Sequence, residues 1–240
     1  MNTSYLPGPS HCTSRRAFIE KYGTCAVLFF ITPLLLTHKK YTLDPFQDIY
    51  DDEVQFPEKW IHGSIQCQDN NNPPIQVHQV NPGTYILRQN KCSTYEAPFL
   101  YLFIGEEKAF LLDTGDRVPG DALLTTVESL LPDPKGNKNG KNFDLIVAHT
   151  HGHSDHTYGD SHFRRRPNTE IVPAGQNAVR TFFGIQEWPD SPAAVDLGGR
   201  MLTIVPIPSH TLDHIVVYDD KTHFLMTGDT LYPGNLYVRF

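Results

Sequence analysis

The feature that most restricts this chain is a nine-residue stretch, AHTHGHSDH at Ala148 to His156, which holds four of the 12 histidines in 240 residues. It follows FDLIVA, a continuous apolar run of the kind that forms a buried strand. Side chains of an extended chain alternate, so a strand ending in H-x-H is expected to send His151 and His153 to one side. Two imidazoles on one side are half a zinc site. Asp155 and His156 follow where the chain must turn, and they can serve a second divalent ion beside the first. Histidine with carboxylate and no thiolate favours a catalytic metal over a structural one. Histidine tracts also bind metal without function, but this one is internal and is interleaved with Gly152 and Ser154.

The rest of the chain supplies the frame for that loop. IQVHQV, TYILR, FLYLFIG and AFLLD, from Ile75 onward, read as short strands of an antiparallel meander. DALLTTVESLL puts Leu123, Leu124, Val127, Leu130 and Leu131 on one helical face, with Asp121 placed to cap it. PDPKGNKNGKN is a surface loop. Beyond the histidines, EIVPA, RMLTIVPI, HIVVYD and HFLMTGD continue the strands, with a short helix around NAVRTFF, so strands dominate and helices cover them. Asp219 and Asp220 read as exposed carboxylates on a turn.

Composition narrows the function. A hydrophobic content of 39% suits a globular domain with a sizeable core, and a net charge of −7 gives no footprint for nucleic acid. Arg164 to Arg166 form a local basic trio that reads as a solvated loop, with an anion-binding patch as the alternative. The four cysteines lack C-x-x-C spacing, which argues against a thiolate zinc site. Cys67 and Cys92 bracket the first strands and are either a disulfide, in an oxidising compartment, or two free thiols.

Residues 1–40 read as a targeting or anchor segment and 41–74 as a linker or extended region, with the main domain at 75–240. Arg15, Arg16 and Lys21 precede an apolar run from Cys25 to Leu36, too short to span a bilayer comfortably but suited to a signal core. SRRAFIEK resembles a twin-arginine export signal. Export or membrane association through residues 25–36 is therefore expected, with a buried helix and a cytoplasmic location as the alternative.

The pattern T-H-x-H-x-D-H at Thr150 to His156 resembles the metallo-β-lactamase superfamily, and further pieces follow its order. LLDTGD at Leu111 to Asp116, PIPSHTLDHIVVY with His210, and LMTGDTLY with Asp229 resemble its other motifs. The resemblance implies an α/β fold, the four-layer αβ/βα sandwich. It implies that His151, His153 and His210 hold one zinc ion, that Asp155 and His156 hold a second, and that Asp229 bridges the two. Asp113 would fix ligand histidines from behind, and Asp155 would position the attacking water. His214 either faces the site or is a packed histidine opening the next strand.

The family supplies a further histidine to the second metal, downstream of the bridging aspartate. Only eleven residues follow Asp229 and none is histidine, so the second half of the sandwich is expected to be incomplete and the second metal weakly held. The implied function is zinc-dependent hydrolysis of a small-molecule ester, thioester, lactone, lactam or phosphodiester, with one or two zinc ions per chain. The competing reading is a metal-binding but catalytically silent protein. A di-iron redox relative would carry an acidic residue where His153 stands, which argues against that class.

Overall fold

The alternation of short apolar strands produces two sheets, seen in a computed structural model that describes residues 55–132 and 140–232. Residues 55–74 carry no strand, only a 3-10 turn at Cys67–Asp69. The expected N-terminal targeting segment and most of the glycine- and lysine-rich loop lie outside the described residues. Among the described residues, no helix is long and apolar enough to cross a membrane.

The first sheet runs in the order β1-β2-β3-β4-β5-β6. Strands β1 (Ile75–Asn81), β2 (Thr84–Gln89), β3 (Phe99–Ile104) and β4 (Lys108–Leu112) form the antiparallel meander. The β1–β2 turn uses Gly83 at φ 88°, a left-handed conformation open to glycine without penalty. Strand β5 (Asp144–Ala148) then pairs parallel with β4, and β6 (Thr169–Ile171) parallel with β5. A parallel pair needs a crossover, and helix α1 (Ala122–Leu130) provides it. Its Leu123 and Val127 are buried against Leu100, Leu102, Leu111 and Leu145 of the sheet. Each such side chain contributes about 1.5–3 kcal/mol when fully buried.

The other face of that sheet looks inward. Phe103, Phe110 and Leu112 meet Leu202, Ile204, Ile215 and Val217 of the second sheet. That sheet is antiparallel in the order β10-β9-β8-β7. Its strands are β7 (Ala193–Asp196), β8 (Met201–Pro206), β9 (Ile215–Asp219) and β10 (Leu225–Met226). Two one-turn helices, α2 (Ser154–Thr157) and α3 (Asp160–Phe163), follow the histidine loop, and α4 (Gln176–Phe183) inserts Val179 into the inter-sheet core. The result is the mixed α/β arrangement expected, with helix, sheet and sheet layered in that order among the described residues.

Three local readings are corrected. Asp121 makes no side-chain cap on α1; its carboxylate instead accepts from His162 Nδ1 at 2.8 Å. Arg166 is buried rather than solvated, because its Nη2 donates to the carbonyls of Gly140 and Phe143 at 2.5 and 2.7 Å, while Arg164 and Arg165 stay exposed. Asp219 is fully buried and makes a two-pronged bond to Arg200, at 2.8 and 2.6 Å. Arg200 also donates to the Gly83 carbonyl and Thr84 Oγ1, both at 2.7 Å, so this pair ties the second sheet to the first. The two cysteines left open by the sequence are joined: Cys67 and Cys92 form a disulfide with Cα atoms 5.3 Å apart.

Candidate metal centre

Every segment that carries a candidate ligand leaves its sheet at the same end of the sandwich. Asp113 follows β4, the histidine loop follows β5, His210 lies between β8 and β9, and Asp229 follows β10. Backbone bonds lock these segments together. Asp113 N donates to Ala148 O, Thr114 N to His156 O, and Ile215 N to Thr150 O, each at 2.8 Å.

The histidines do not continue the strand. Strand β5 ends at Ala148, and His151 and His153 lie in the bends beyond it, so strand alternation is not what brings them together. They converge nonetheless. His153 Nδ1 lies 3.0 Å from His151 Nε2 and 3.0 Å from His210 Nε2, although 57 residues separate His210 from His153. A single nitrogen can share a proton with only one of two neighbours, so this arrangement suits a cation. A tetrahedral ion with bonds of about 2.0–2.1 Å would set such nitrogens roughly 3.3 Å apart, close to what is seen.

Hydrogen bonds behind the ring fix which nitrogens are free. Asp113 Oδ2 lies 2.9 Å from His156 Nδ1, and Asp113 Oδ1 accepts from Thr150 N at 2.7 Å. Thr150 Oγ1, 3.0 Å from Asp113 Oδ2, donates its proton to that carboxylate, and this leaves the hydroxyl oxygen to accept from His151 Nδ1 at 3.2 Å. Both His151 and His156 are thereby protonated at Nδ1 and present the Nε2 lone pair to the site. One carboxylate sets two tautomers. Asp113 does this from a left-handed backbone conformation, φ 67°, which few residues other than glycine, asparagine and aspartate tolerate.

A second group of donors, His151, His156 and Asp229, lies beside the first group of His151, His153 and His210. Asp229 reaches toward both. Its Oδ1 is 3.5 Å from His156 Nε2 and its Oδ2 is 3.7 Å from His210 Nε2. Asp155, expected in the second group, brings its Oδ2 to 3.4 Å from His156 Nε2 from a partly exposed position. His156 Nε2 thus has a carboxylate oxygen of Asp155 and one of Asp229 within 3.5 Å.

Charge follows this geometry. Burial and the neighbouring His156 and His214 push His151 down to about 2, which keeps it neutral. Burial and His210 lower His153 as well. Burial opposes charge on His156 too, but Asp113, Asp155 and Asp229 outweigh it and raise that imidazole well above its usual range. Asp229 is held low chiefly by its bond to His156. The upward shift of His156 reflects the carboxylates of Asp113, Asp155 and Asp229 around it, an excess of negative charge that a cation at its Nε2 would offset.

Several contributors carry no sequence signal of their role. Thr150, a member of the motif, links Asp113 to His151 through its hydroxyl. His149 bonds Asp160 at 2.8 Å, and Asp160 also accepts from Thr114 Oγ1 at 2.8 Å, which braces the loop from below. Asp213 accepts from Gly175 N at 2.9 Å and crowds Gly152, where a Cβ would stand 2.8 Å from its Oδ2. His149 lay in plain view in the sequence, but its partner, eleven residues away, carried no signal.

Comparison with known proteins places this geometry in context. A family profile described as metallo-beta-lactamase superfamily matches residues 96–238. The hydroxyacylglutathione hydrolase of Dechloromonas aromatica is 26% identical over 134 residues, which is 56% of this chain and 44% of that protein. The human acyl-coenzyme A thioesterase MBLAC2 is 24% identical over 165 residues, 57% of this chain and 59% of that protein. Among solved structures, a metallo-beta-lactamase from Hirschia baltica is 20% identical with TM-score 0.48, over 70% of this chain and 80% of the other. The chain thus spans about half the length of the curated relatives it matches.

Proposed function

Because the chain belongs to the metallo-beta-lactamase superfamily, we propose that it is a metal-dependent hydrolase and that its substrate is a thioester. The observation that carries the hydrolase reading is the convergence of His151, His153 and His210 on one point, with Asp229 spanning from that group to His156. Two relatives carry the substrate reading, since their names specify an acyl group on glutathione or on coenzyme A, both thiol carriers.

His151, His153 and His210 would hold the first ion, and Asp155, His156 and Asp229 would hold a second. Zinc bound there supplies Lewis acidity toward the acyl oxygen and lowers the pKa of water toward about 7. The chain's own groups do the rest. Asp113 and Thr150 keep the histidine lone pairs aimed inward. Burial works to raise Asp155, but His156 beside it holds the carboxyl below the usual range. An ionised, partly exposed carboxylate of that kind is a weak base, so its role is to accept a hydrogen bond from the attacking water and orient it. The leaving group needs little help. A thiol has a pKa near 8.5 and departs as thiolate without a dedicated acid.

The Cys67–Cys92 disulfide supports maturation in an oxidising compartment, in keeping with an export role for the N-terminal segment. The test of function is turnover of S-acyl glutathione and acyl-coenzyme A by the zinc-loaded chain, beside lactam and phosphodiester substrates. Chelator-sensitive thioester turnover is expected. Zinc uptake without turnover of any substrate would favour the silent metal-binding reading, for which the three-donor second group, one of them shared, is the supporting observation.

A further inference from the structure

His214 stands immediately before β9, four residues after His210, and is fully buried. Among the described residues, neither of its ring nitrogens has a hydrogen-bond partner. Leaving a buried polar group unpaired is costly, so an apolar side chain would serve simple packing better. A histidine at this position calls for another account, and its surroundings give one.

The His214 ring lies flat on His151, with centroids 5.0 Å apart and planes 13° from parallel. It meets His210 edge-on, at 6.3 Å and 89°. Its Nε2 faces Gly228, where a Cβ would stand 3.0 Å from that nitrogen and 2.7 Å from Thr150 Cβ. One ring therefore meets three ligand-bearing segments: the Thr150–His151 bend, the His210 loop, and the Gly228–Asp229 turn. His151 needs such a contact. Its Nδ1 bond to Thr150 fixes the direction of the ring in its own plane, but the tilt of that plane depends on what lies against its faces.

We infer that His214 is a positioning residue whose flat ring sets the plane of His151, the histidine common to both ligand groups, and spaces it from the Gly228–Asp229 turn. The inference rests on the ion-binding reading above and adds a requirement to it. A flat ring must occupy position 214, and position 228 must carry no side chain.

The experiment compares H214L and H214F with the unaltered chain. Apo melting temperature, zinc affinity by chelator competition, and metal-free NMR of the histidine rings are measured. H214L loses two unpaired nitrogens, so its melting temperature is expected at or above that of the unaltered chain. Its zinc affinity is expected to fall roughly tenfold or more, the loss seen when a group orienting a ligand histidine is removed. H214F keeps a flat ring and should bind zinc nearly as well as the unaltered chain. The His151 ring signal should be single in the unaltered chain and multiple or broadened in H214L. If H214L does not fold, H214Q takes its place with the same zinc expectation. Unaltered zinc affinity in the folded ring-free variant, or a loss in H214F as large as in that variant, overturns the inference. Should the unaltered chain itself take up no zinc, the ion-binding reading fails separately. The His151 signal then decides, and an unchanged signal in the ring-free variant overturns the role of His214.

Discussion

The carboxylate of Asp113 lies 2.9 Å from Nδ1 of His156, with both residues sealed from water. This contact, extended through Thr150 to His151, points the lone pairs of two histidines at one spot. Replacing Asp113 by alanine removes that control without removing a ligand. Zinc affinity should fall about 10–100-fold, the range found for groups hydrogen-bonded to metal-ligating histidines. Isothermal titration of the metal-free variant checks it, and affinity equal to the unaltered chain would show that the tautomers are set elsewhere.

Asp229 is the carboxylate that spans the two donor groups. Asp229→Asn should therefore release zinc, whereas Asp220→Asn should not, because Asp220 is exposed and merely accepts from Met201 N at 3.0 Å. Metal content of the two purified variants is the measurement. Equal zinc in both would take Asp229 out of the site.

Asp219, expected from the sequence to be as innocuous as Asp220, behaves otherwise. Its replacement by asparagine leaves Arg200 buried without its counter-charge, a change of about 3–5 kcal/mol in stability for such pairs. The loss should be the same with and without zinc, because the pair lies away from the ligands. The pH dependence follows from the direction of the shift. Burial tends to raise this carboxyl, but Arg200 and Thr222 hold it below its ordinary 3.8. A carboxyl lowered by folding contributes stability that is full above the unfolded value and is lost as pH falls through the folded one. Denaturant melts from pH 6 to pH 2 should show an acid-sensitive component that D219N lacks.

Reduction of the Cys67–Cys92 bond should lower stability by about 3.5 kcal/mol, from the loop-closure entropy of a cross-link across 25 residues. Urea melts of C67S/C92S against the unaltered chain measure it. Identical midpoints would mean that the bond staples a segment the fold does not need.

Much of this fold was legible because its elements obey period. The alternation in β1–β4 and the apolar spacing of Leu123 and Val127 in α1 are local signals, and the structure follows them. Strand β7 was not read, since Ala193 and Ala194 have weak strand preference and the strand exists through pairing with β8. The ligand histidines were legible by motif. Of their supporting contacts the motif indicated Asp113, but not the Thr150 hydroxyl that carries its effect to His151, nor the His149–Asp160 bond, because those pairs are made by tertiary approach, as is the distant Arg200–Asp219 pair. Asp219 and Asp220 show the limit most plainly. Neighbours in sequence at the end of β9, one is buried in an ion pair that joins two sheets and the other is exposed, and nothing local distinguishes them.

The central claim is that His151, His153 and His210 hold a divalent ion. It is tested most directly by an anomalous difference map at the zinc edge from crystals grown with zinc. The account predicts a peak about 2.0–2.1 Å from His151 Nε2, His153 Nδ1 and His210 Nε2 together, lost in crystals of H210A. A peak bound elsewhere, or none at these three nitrogens, would contradict it.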